Sequence, residues 1–133
     1  KERASYLPEN FQPLLEADRL VLHDGPRDLF PGVTLIPSDG HTIGLQLVRI
    51  QDGGTALFYC ADLIPTSSHV HVPFVMGYDI HAVQSLEEKR NLLAPIAASG
   101  HWIFYEHDPK FSMSQVSFDG RKFSPSNAEV AQA

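Results

Sequence analysis

Hydrophobic and polar residues alternate most regularly along residues 44–50, where every second side chain falls on the same side of an extended chain. A tight Asp52-Gly53-Gly54 turn follows, and residues 55–60 are then apolar after the first position. Two such segments joined by a short Asp/Gly turn predict a β-hairpin. A strand with so few polar positions is typical of a sheet interior, so we expect the second strand to be central.

Shorter apolar runs bounded by glycine, proline or aspartate predict further strands at 19–23, 33–36, 102–105, 115–118 and 122–123. Proline and acidic residues predict a short helix that begins at Pro8 and ends at Asp18. The small, polar residues after Pro125 predict a frayed end.

One long helix is expected over residues 86–99. Ser85 and Glu88 have the spacing of a capping box, which marks a helix start. Pro95 predicts a kink or the final turn, and Gly100 ends the helix. Because strands dominate and this helix falls between two of them, the sequence predicts a mixed α/β layered fold with an antiparallel or mixed sheet.

Composition narrows the classes of function. The 133 residues fit one domain, and the net charge of −6 argues against nucleic acid as a partner. No apolar run approaches the roughly 18–20 residues of a membrane span, so we expect no membrane partner and a cytoplasmic location. The single cysteine, Cys60, excludes an internal disulfide and a four-cysteine zinc site. Seven histidines beside sixteen acidic residues leave a histidine/carboxylate metal site open.

Three candidate metal ligands stand at the ends of predicted strands. His41 lies in a glycine turn before the hairpin, Asp62 follows its apolar second strand, and His107 follows the apolar strand near residue 105. Two imidazoles and a carboxylate suit zinc, and also iron or manganese. Each residue also has a simpler interpretation: His41 as a solvated loop residue, Asp62 as a turn cap, and His107 as an exposed turn residue.

The motifs that carry these residues are Gly40-His41-Thr42, Ala61-Asp62 and Glu106-His107-Asp108, in that order. Together they resemble the C-terminal half of metallo-β-lactamase-fold hydrolases. The resemblance implies a fold that is half of an αββα sandwich, with residues 1–133 forming the C-terminal part of a single domain. The His-x-His-x-Asp-His motif of the family's N-terminal half is absent from this sequence.

In that family the matching residues bind two metal ions, most often zinc. The resemblance implies that Asp62 bridges the two ions and orients an activated hydroxide, while His41 binds the first ion and His107 the second. The implied reaction is hydrolysis of a small-molecule ester, lactone, amide or phosphoester. With only these ligands present, the chain alone is expected to be inactive. Asp39 and Asp108 are candidates for orienting the two imidazoles.

The loop over residues 63–83 is long for a compact domain, and such loops are usually functional. We interpret five of its side chains as a substrate wall: His69, His71, Phe74, Met76 and Tyr78. His69 and His71 could alternatively face one side of a strand and bind a metal themselves. His23 and His101 are interpreted as ordinary surface or edge residues.

An alternative from another class is a non-catalytic, metal-free binding module that shares the fold. In either case, half a sandwich would expose an apolar sheet face. The expected partner on that face is the N-terminal half of the same protein or a second copy of the chain.

Overall fold

The computed structural model describes residues 6–130 and contains two α-helices, α1 (Pro8–Glu16) and α2 (Ala82–Ser99). Two short 3-10 turns cover Ala61–Leu63 and Ser67–Val70. The strands are β1 (Arg27–Phe30), β2 (Val33–Ser38), β3 (Leu45–Asp52), β4 (Thr55–Tyr59), β5 (Trp102–Phe104), β6 (Phe111–Phe118) and β7 (Phe123–Val130).

The seven strands form one sheet whose order follows the sequence from β1 to β7. Neighbours are antiparallel except for β4 and β5, which are parallel and are connected through the long loop and α2. The sheet is therefore mixed and β4 is central, as the sequence predicts. Because β4 and β5 run in the same direction, their C-terminal ends lie at the same edge of the sheet.

Helix α2 covers one face of the sheet. Leu93 and Ile96 of the helix and Ile103 of β5 are fully buried in the main core, with Leu47 of β3 and Phe58 of β4 beside them. Gly100 adopts the left-handed conformation (φ 64°) and ends the helix, as the sequence predicts.

The opposite face of the central strands is not covered by the described chain. The strand register places a continuous set of apolar side chains there, which we call the open face: Val48, Ile50, Leu57, Tyr59, Trp102, Phe104 and Met113. Ile50 is 47% exposed and Phe104 is 38% exposed. Monomeric proteins rarely expose such a contiguous apolar surface.

Three local predictions are wrong. Residues 19–23 form no strand, since they pair with no neighbour and leave Val21 and Leu22 exposed; β1 lies further along the chain instead. Residues 126–130 are not frayed, because they pair with β6 as part of an edge strand, where small polar side chains and a proline are tolerated. The last three residues of the predicted frayed end lie outside the described residues. Helix α2 begins at Ala82, so Ser85 and Glu88 lie inside it rather than at its cap.

No helix in the part of the chain covered by residues 6–130 has the length and apolar character needed to cross a membrane.

Candidate metal centre

His41 lies in the loop after β2 and is only 6% exposed. Its Nδ1 lies 2.8 Å from Oδ1 of Asp79, whose side chain is also buried. An ionised carboxylate only accepts hydrogen bonds, so Nδ1 carries the proton and donates a hydrogen bond to Asp79. In a neutral ring this leaves the lone pair on Nε2, as in histidines oriented for metal binding.

Asp62 lies between the two histidines, in the 3-10 turn that follows β4. One of its oxygens, Oδ2, is 3.5 Å from His41 Nε2, and the other, Oδ1, is 3.3 Å from His107 Nε2. Donor atoms around one tetrahedral zinc ion are separated by roughly 3–3.5 Å. The structure therefore brings the three candidate ligands together, although they are distant in sequence.

Glu106 extends this group. Single donor atoms of Asp62, Glu106 and His107 lie within 4.8 Å of one another. Glu106 Oε2 also accepts a 2.6 Å hydrogen bond from the Tyr59 hydroxyl. This bond, burial and the negative charges of Glu106 and Asp62 raise the pKa of Tyr59 to about 12, so the phenol stays protonated. Tyr59 belongs to the open face, which places the candidate metal centre at the border of that face.

Glu88 of α2 holds the loop that carries His41. Its carboxylate accepts hydrogen bonds from Ser38 Oγ (2.7 Å) and from the backbone N–H groups of Asp39 (2.9 Å) and Gly40 (3.1 Å). Gly40 itself passes so close to α2 that an added Cβ would lie 2.5 Å from the backbone nitrogen of Ser85. Glu88 therefore positions His41 through the backbone rather than capping a helix.

His107 is held by the residues around it. Its backbone N–H donates to the Pro65 carbonyl at 3.0 Å. The adjacent Asp108 accepts hydrogen bonds from the backbone N–H groups of Ser67, Lys110 and Phe111, each at 2.8 Å. These contacts join the chain after β5 to the chain after β4.

Asp39 and Asp108 do not orient the imidazoles, contrary to the sequence interpretation. Asp39 Oδ1 accepts the Gly44 N–H at 2.7 Å, and Asp108 binds backbone as described above. Short acidic side chains in loops satisfy nearby N–H groups readily, and this local bonding is what both residues do. The acid that orients His41 is Asp79, from the distant end of the long loop.

The acid stability of the chain is expected to depend on Asp108. Burial raises the pKa of its carboxyl, but hydrogen bonds from Ser67, Phe111 and Lys110 outweigh this and lower it from 3.8 to about 2. Below pH 4 the unfolded chain therefore takes up this proton first, and the stabilisation is lost as pH falls from about 4 to about 2. Urea unfolding across this range should show that Asp108→Asn lacks about 1 kcal/mol of this acid-dependent change, because solvent screens the partly exposed carboxyl. A variant whose unfolding free energy depends on pH as strongly as that of the parent would contradict this prediction.

Ala61, directly before Asp62, adopts a left-handed conformation with φ 44°. This conformation costs an L-residue about 1–2 kcal/mol and costs glycine little. Ala61→Gly also removes a methyl group that is buried in the core, as does the matched control Ala56→Gly in β4. Both variants lose this contact and loosen the unfolded chain, but only Ala61→Gly relieves the backbone, so it should be less destabilising than Ala56→Gly by about 1–2 kcal/mol. Chemical denaturation compares the two, and equal destabilisation would contradict the argument.

The residues interpreted as a substrate wall make separate contacts. The Tyr78 ring packs edge-on against His41, with centroids 5.7 Å apart. His71 packs against Phe74 at 4.9 Å. His69 lies in a 3-10 turn, 2.7 Å from Thr66 Oγ1, so the alternative in which His69 and His71 share one side of a strand is wrong. Met76 is half-buried.

Two further histidines make separate contacts. His23 lies within hydrogen-bond distance of the Gly25 carbonyl (3.2 Å) and of Gln46 (3.0 Å). His101 accepts the Ala56 N–H at 3.3 Å.

Lys89 of α2 holds part of the long loop, residues 63–83, against the helix. It is fully buried, and its Nζ donates to the carbonyls of His71 (3.1 Å), Val72 (3.1 Å) and Phe74 (2.7 Å). Burial lowers its pKa to about 8, with Asp79 opposing the shift. Three carbonyls bound by one ammonium hold this stretch of loop in place.

Comparison of the sequence with protein-family models found no match, and comparison with curated proteins found no significant match. Comparison with solved structures shows the fold of metal-dependent hydrolases of the β-lactamase superfamily. A probable metal-dependent hydrolase from Staphylococcus aureus superposes with a TM-score of 0.80 at 23% identity, covering 88% of this chain and 42% of that protein.

Two other structures agree with this result. AidC, a dizinc quorum-quenching lactonase, gives a TM-score of 0.74 at 21% identity over 98% of this chain and 46% of its own. The hydrolase AbOPH of the β-lactamase superfamily superposes with a TM-score of 0.73 at 18% identity, covering 94% of this chain and 44% of that protein. The expected fold class is thus confirmed, and the chain spans less than half the length of these proteins.

Proposed function

We propose that this chain is the C-terminal part of a metal-dependent hydrolase, in which His41, Asp62 and His107 bind the metal. The observation that carries the proposal is the pair of contacts from the two oxygens of Asp62 to Nε2 of His41 and Nε2 of His107, at 3.5 and 3.3 Å. These residues come from three separate loops, and with 57% of the His107 side chain and 32% of the Asp62 side chain exposed, burial of apolar surface does not draw them together.

The donor set fits a metal ion of the zinc type. Imidazole nitrogen and carboxylate oxygen are both zinc ligands, and iron or manganese would accept the same set. In the neutral imidazole of His41 the hydrogen bond to Asp79 keeps the proton on Nδ1, and Nε2, the atom that faces Asp62, offers its lone pair. His41 would hold one ion, His107 would hold a second, and Asp62 would hold both.

When bound, two such ions would activate a water molecule and polarise the bond to be cleaved. The chain's own residues then divide the remaining tasks. Asp79 holds the proton on His41 Nδ1, and Glu88 fixes the loop on which His41 sits. Tyr59, protonated and hydrogen-bonded to Glu106, presents a hydroxyl beside the site. Tyr78 covers His41 on the solvent side, where an apolar part of a substrate could lie.

The remaining ligands are proposed to come from residues that pack on the open face. That face borders the candidate metal centre at Tyr59, and the structural relatives are more than twice as long as this chain. An N-terminal half with a His-x-His-x-Asp-His motif would supply the ligands that three residues cannot. A second copy of the chain is the other candidate for covering the face.

The proposed substrates are small molecules with an ester, lactone, amide or phosphoester bond. The lactonase relative was solved with a product, N-hexnoyl-L-homoserine, which supports the carbonyl members of this set. The cytoplasmic location expected from the sequence stays a prediction.

The experiment that tests the proposal compares this chain with a longer protein that includes the residues encoded before Lys1. The longer protein should bind two zinc ions per chain and hydrolyse members of a panel of lactones, esters and phosphodiesters. The 133-residue chain alone should bind zinc much more weakly and show no hydrolysis. A longer protein that binds no metal and carries no histidine-rich motif would contradict the proposal and favour the metal-free binding module.

A further inference from the structure

A cavity of about 670 Å³ lies between α2 and the turn that joins β6 to β7. Small-molecule sites usually occupy about 300–1,000 Å³. None of the residues that line it belongs to the candidate metal centre, and the function proposed above does not use it. It is a second place on the molecule with the size of a ligand site.

The walls of this cavity are mostly apolar. Alanines of α2 form one side, prolyl and valyl residues of the long loop form the floor, and two stacked phenylalanines form the other side. Phe118 and Phe123 face each other with ring centroids 4.6 Å apart. The apolar lining residues are Val72, Pro73, Ala94, Ala97, Ala98, Phe118 and Phe123.

The charged groups around the cavity all carry one sign. Arg90 on α2 and Arg121 and Lys122 on the β6–β7 turn line it, and no acidic residue in the described part of the chain does. Within residues 6–130, these three cations form no ion pair with a carboxylate. The nearby Asp119 instead uses its carboxylate to accept the backbone N–H groups of Arg121 and Lys122, both at 2.9 Å. A chain of net charge −6 thus concentrates positive charge at one apolar cavity.

The floor of the cavity is fixed before any ligand binds. Its loop residues include Val72, whose carbonyl accepts a hydrogen bond from the buried Lys89, as do the carbonyls of His71 and Phe74. A second cavity of about 480 Å³ shares His71, Lys122 and Phe123 with the first and continues toward Ser67. The two together form a preformed groove, which lowers the entropic cost of binding.

We propose that this groove binds an anionic amphiphile, with its carboxylate or phosphate near Arg121 and Lys122 and its apolar tail along the alanines of α2. Guanidinium and ammonium groups bind such anions with charge-assisted hydrogen bonds. The apolar walls remove the tail from water. A cationic ligand would be repelled, and a neutral one would gain only the apolar contact.

The test uses dodecanoate as the probe, added to the ¹⁵N-labelled chain below the micelle concentration. Saturable shifts are expected at the backbone amides of Ala94, Ala97 and Phe123. Dodecanol, which has the same tail without charge, should bind about tenfold more weakly. Shifts concentrated at Ile50 and Trp102, on the open face, would overturn the proposal, as would the absence of saturable shifts.

Variants separate the two parts of the proposal. The double variant Arg121→Gln/Lys122→Gln should bind dodecanoate about tenfold more weakly and dodecanol as before. The control Arg19→Gln/Arg27→Gln makes the same change of charge outside the groove and should bind both as the parent does. Ala94→Trp, at an exposed helix position, should block both ligands while circular dichroism stays unchanged. Equal loss of dodecanoate affinity in the two double variants would overturn the assignment.

Discussion

Replacing Asp62 with asparagine is expected to lower the hydrolase activity of the complete domain by about 1,000-fold or more. The carboxylate faces both imidazoles, so its loss would weaken the attachment of both proposed metal ions at once. An amide is a poorer ligand for zinc than a carboxylate and brings no negative charge to a site with two dications. Zinc content, measured by mass spectrometry, should fall from two equivalents per chain to fewer than one.

The matched control is Asp52→Asn, at the exposed end of β3 in the hairpin turn. This variant should keep both the activity and the zinc content of the parent. Circular dichroism of both variants should match the parent. Retention of two zinc ions by Asp62→Asn would show that Asp62 is not a ligand.

Glu88→Ala is expected to lower the free energy of unfolding by about 3 kcal/mol. The substitution removes the acceptor for the backbone N–H groups of Asp39 and Gly40 and for the Ser38 hydroxyl. A buried donor left without a partner costs about 1–3 kcal/mol. For a chain of this size the loss corresponds to a fall of roughly 10 °C in Tm, which calorimetry would detect.

Glu87→Ala is the control for this prediction, because Glu87 is the adjacent, exposed acid on the same helix. It should change the unfolding free energy by less than about 0.5 kcal/mol. In the complete domain, Glu88→Ala should also weaken zinc binding, since the loop of His41 loses its attachment to α2. Equal stability of the two variants would contradict the positioning role.

The sequence predicted that His41, Asp62 and His107 lie close together, because the ends of strands can be located from the sequence. Each of these residues follows an apolar strand, and the edge of a sheet gathers such positions from distant parts of the chain. The short motifs around these residues, taken in their order along the chain, carried the resemblance to a known family. Their assignment as metal ligands stays a prediction.

The residues that position this group were not predictable in the same way. Asp79 reaches His41 across 38 positions, and Glu88 reaches Asp39 across 49. Neither contact leaves a local pattern, and the Ser85/Glu88 spacing favoured a helix start at residue 86, whereas the structure begins the helix four residues earlier, at Ala82. Strand β1 was missed, and only the start of β7 was predicted, for a related reason: edge strands are stabilised by pairing and carry little hydrophobic alternation.

The most direct test of the central claim follows the imidazole nitrogens of the ¹⁵N-labelled chain by NMR during a zinc titration. Nε2 of His41 and Nε2 of His107 should shift together as zinc is added, while His41 Nδ1 keeps its proton toward Asp79. His23 and His101, which bond elsewhere, should not change. Shifts that begin at His69 and His71, or none at His41 up to about millimolar zinc, would contradict the metal centre proposed for this chain.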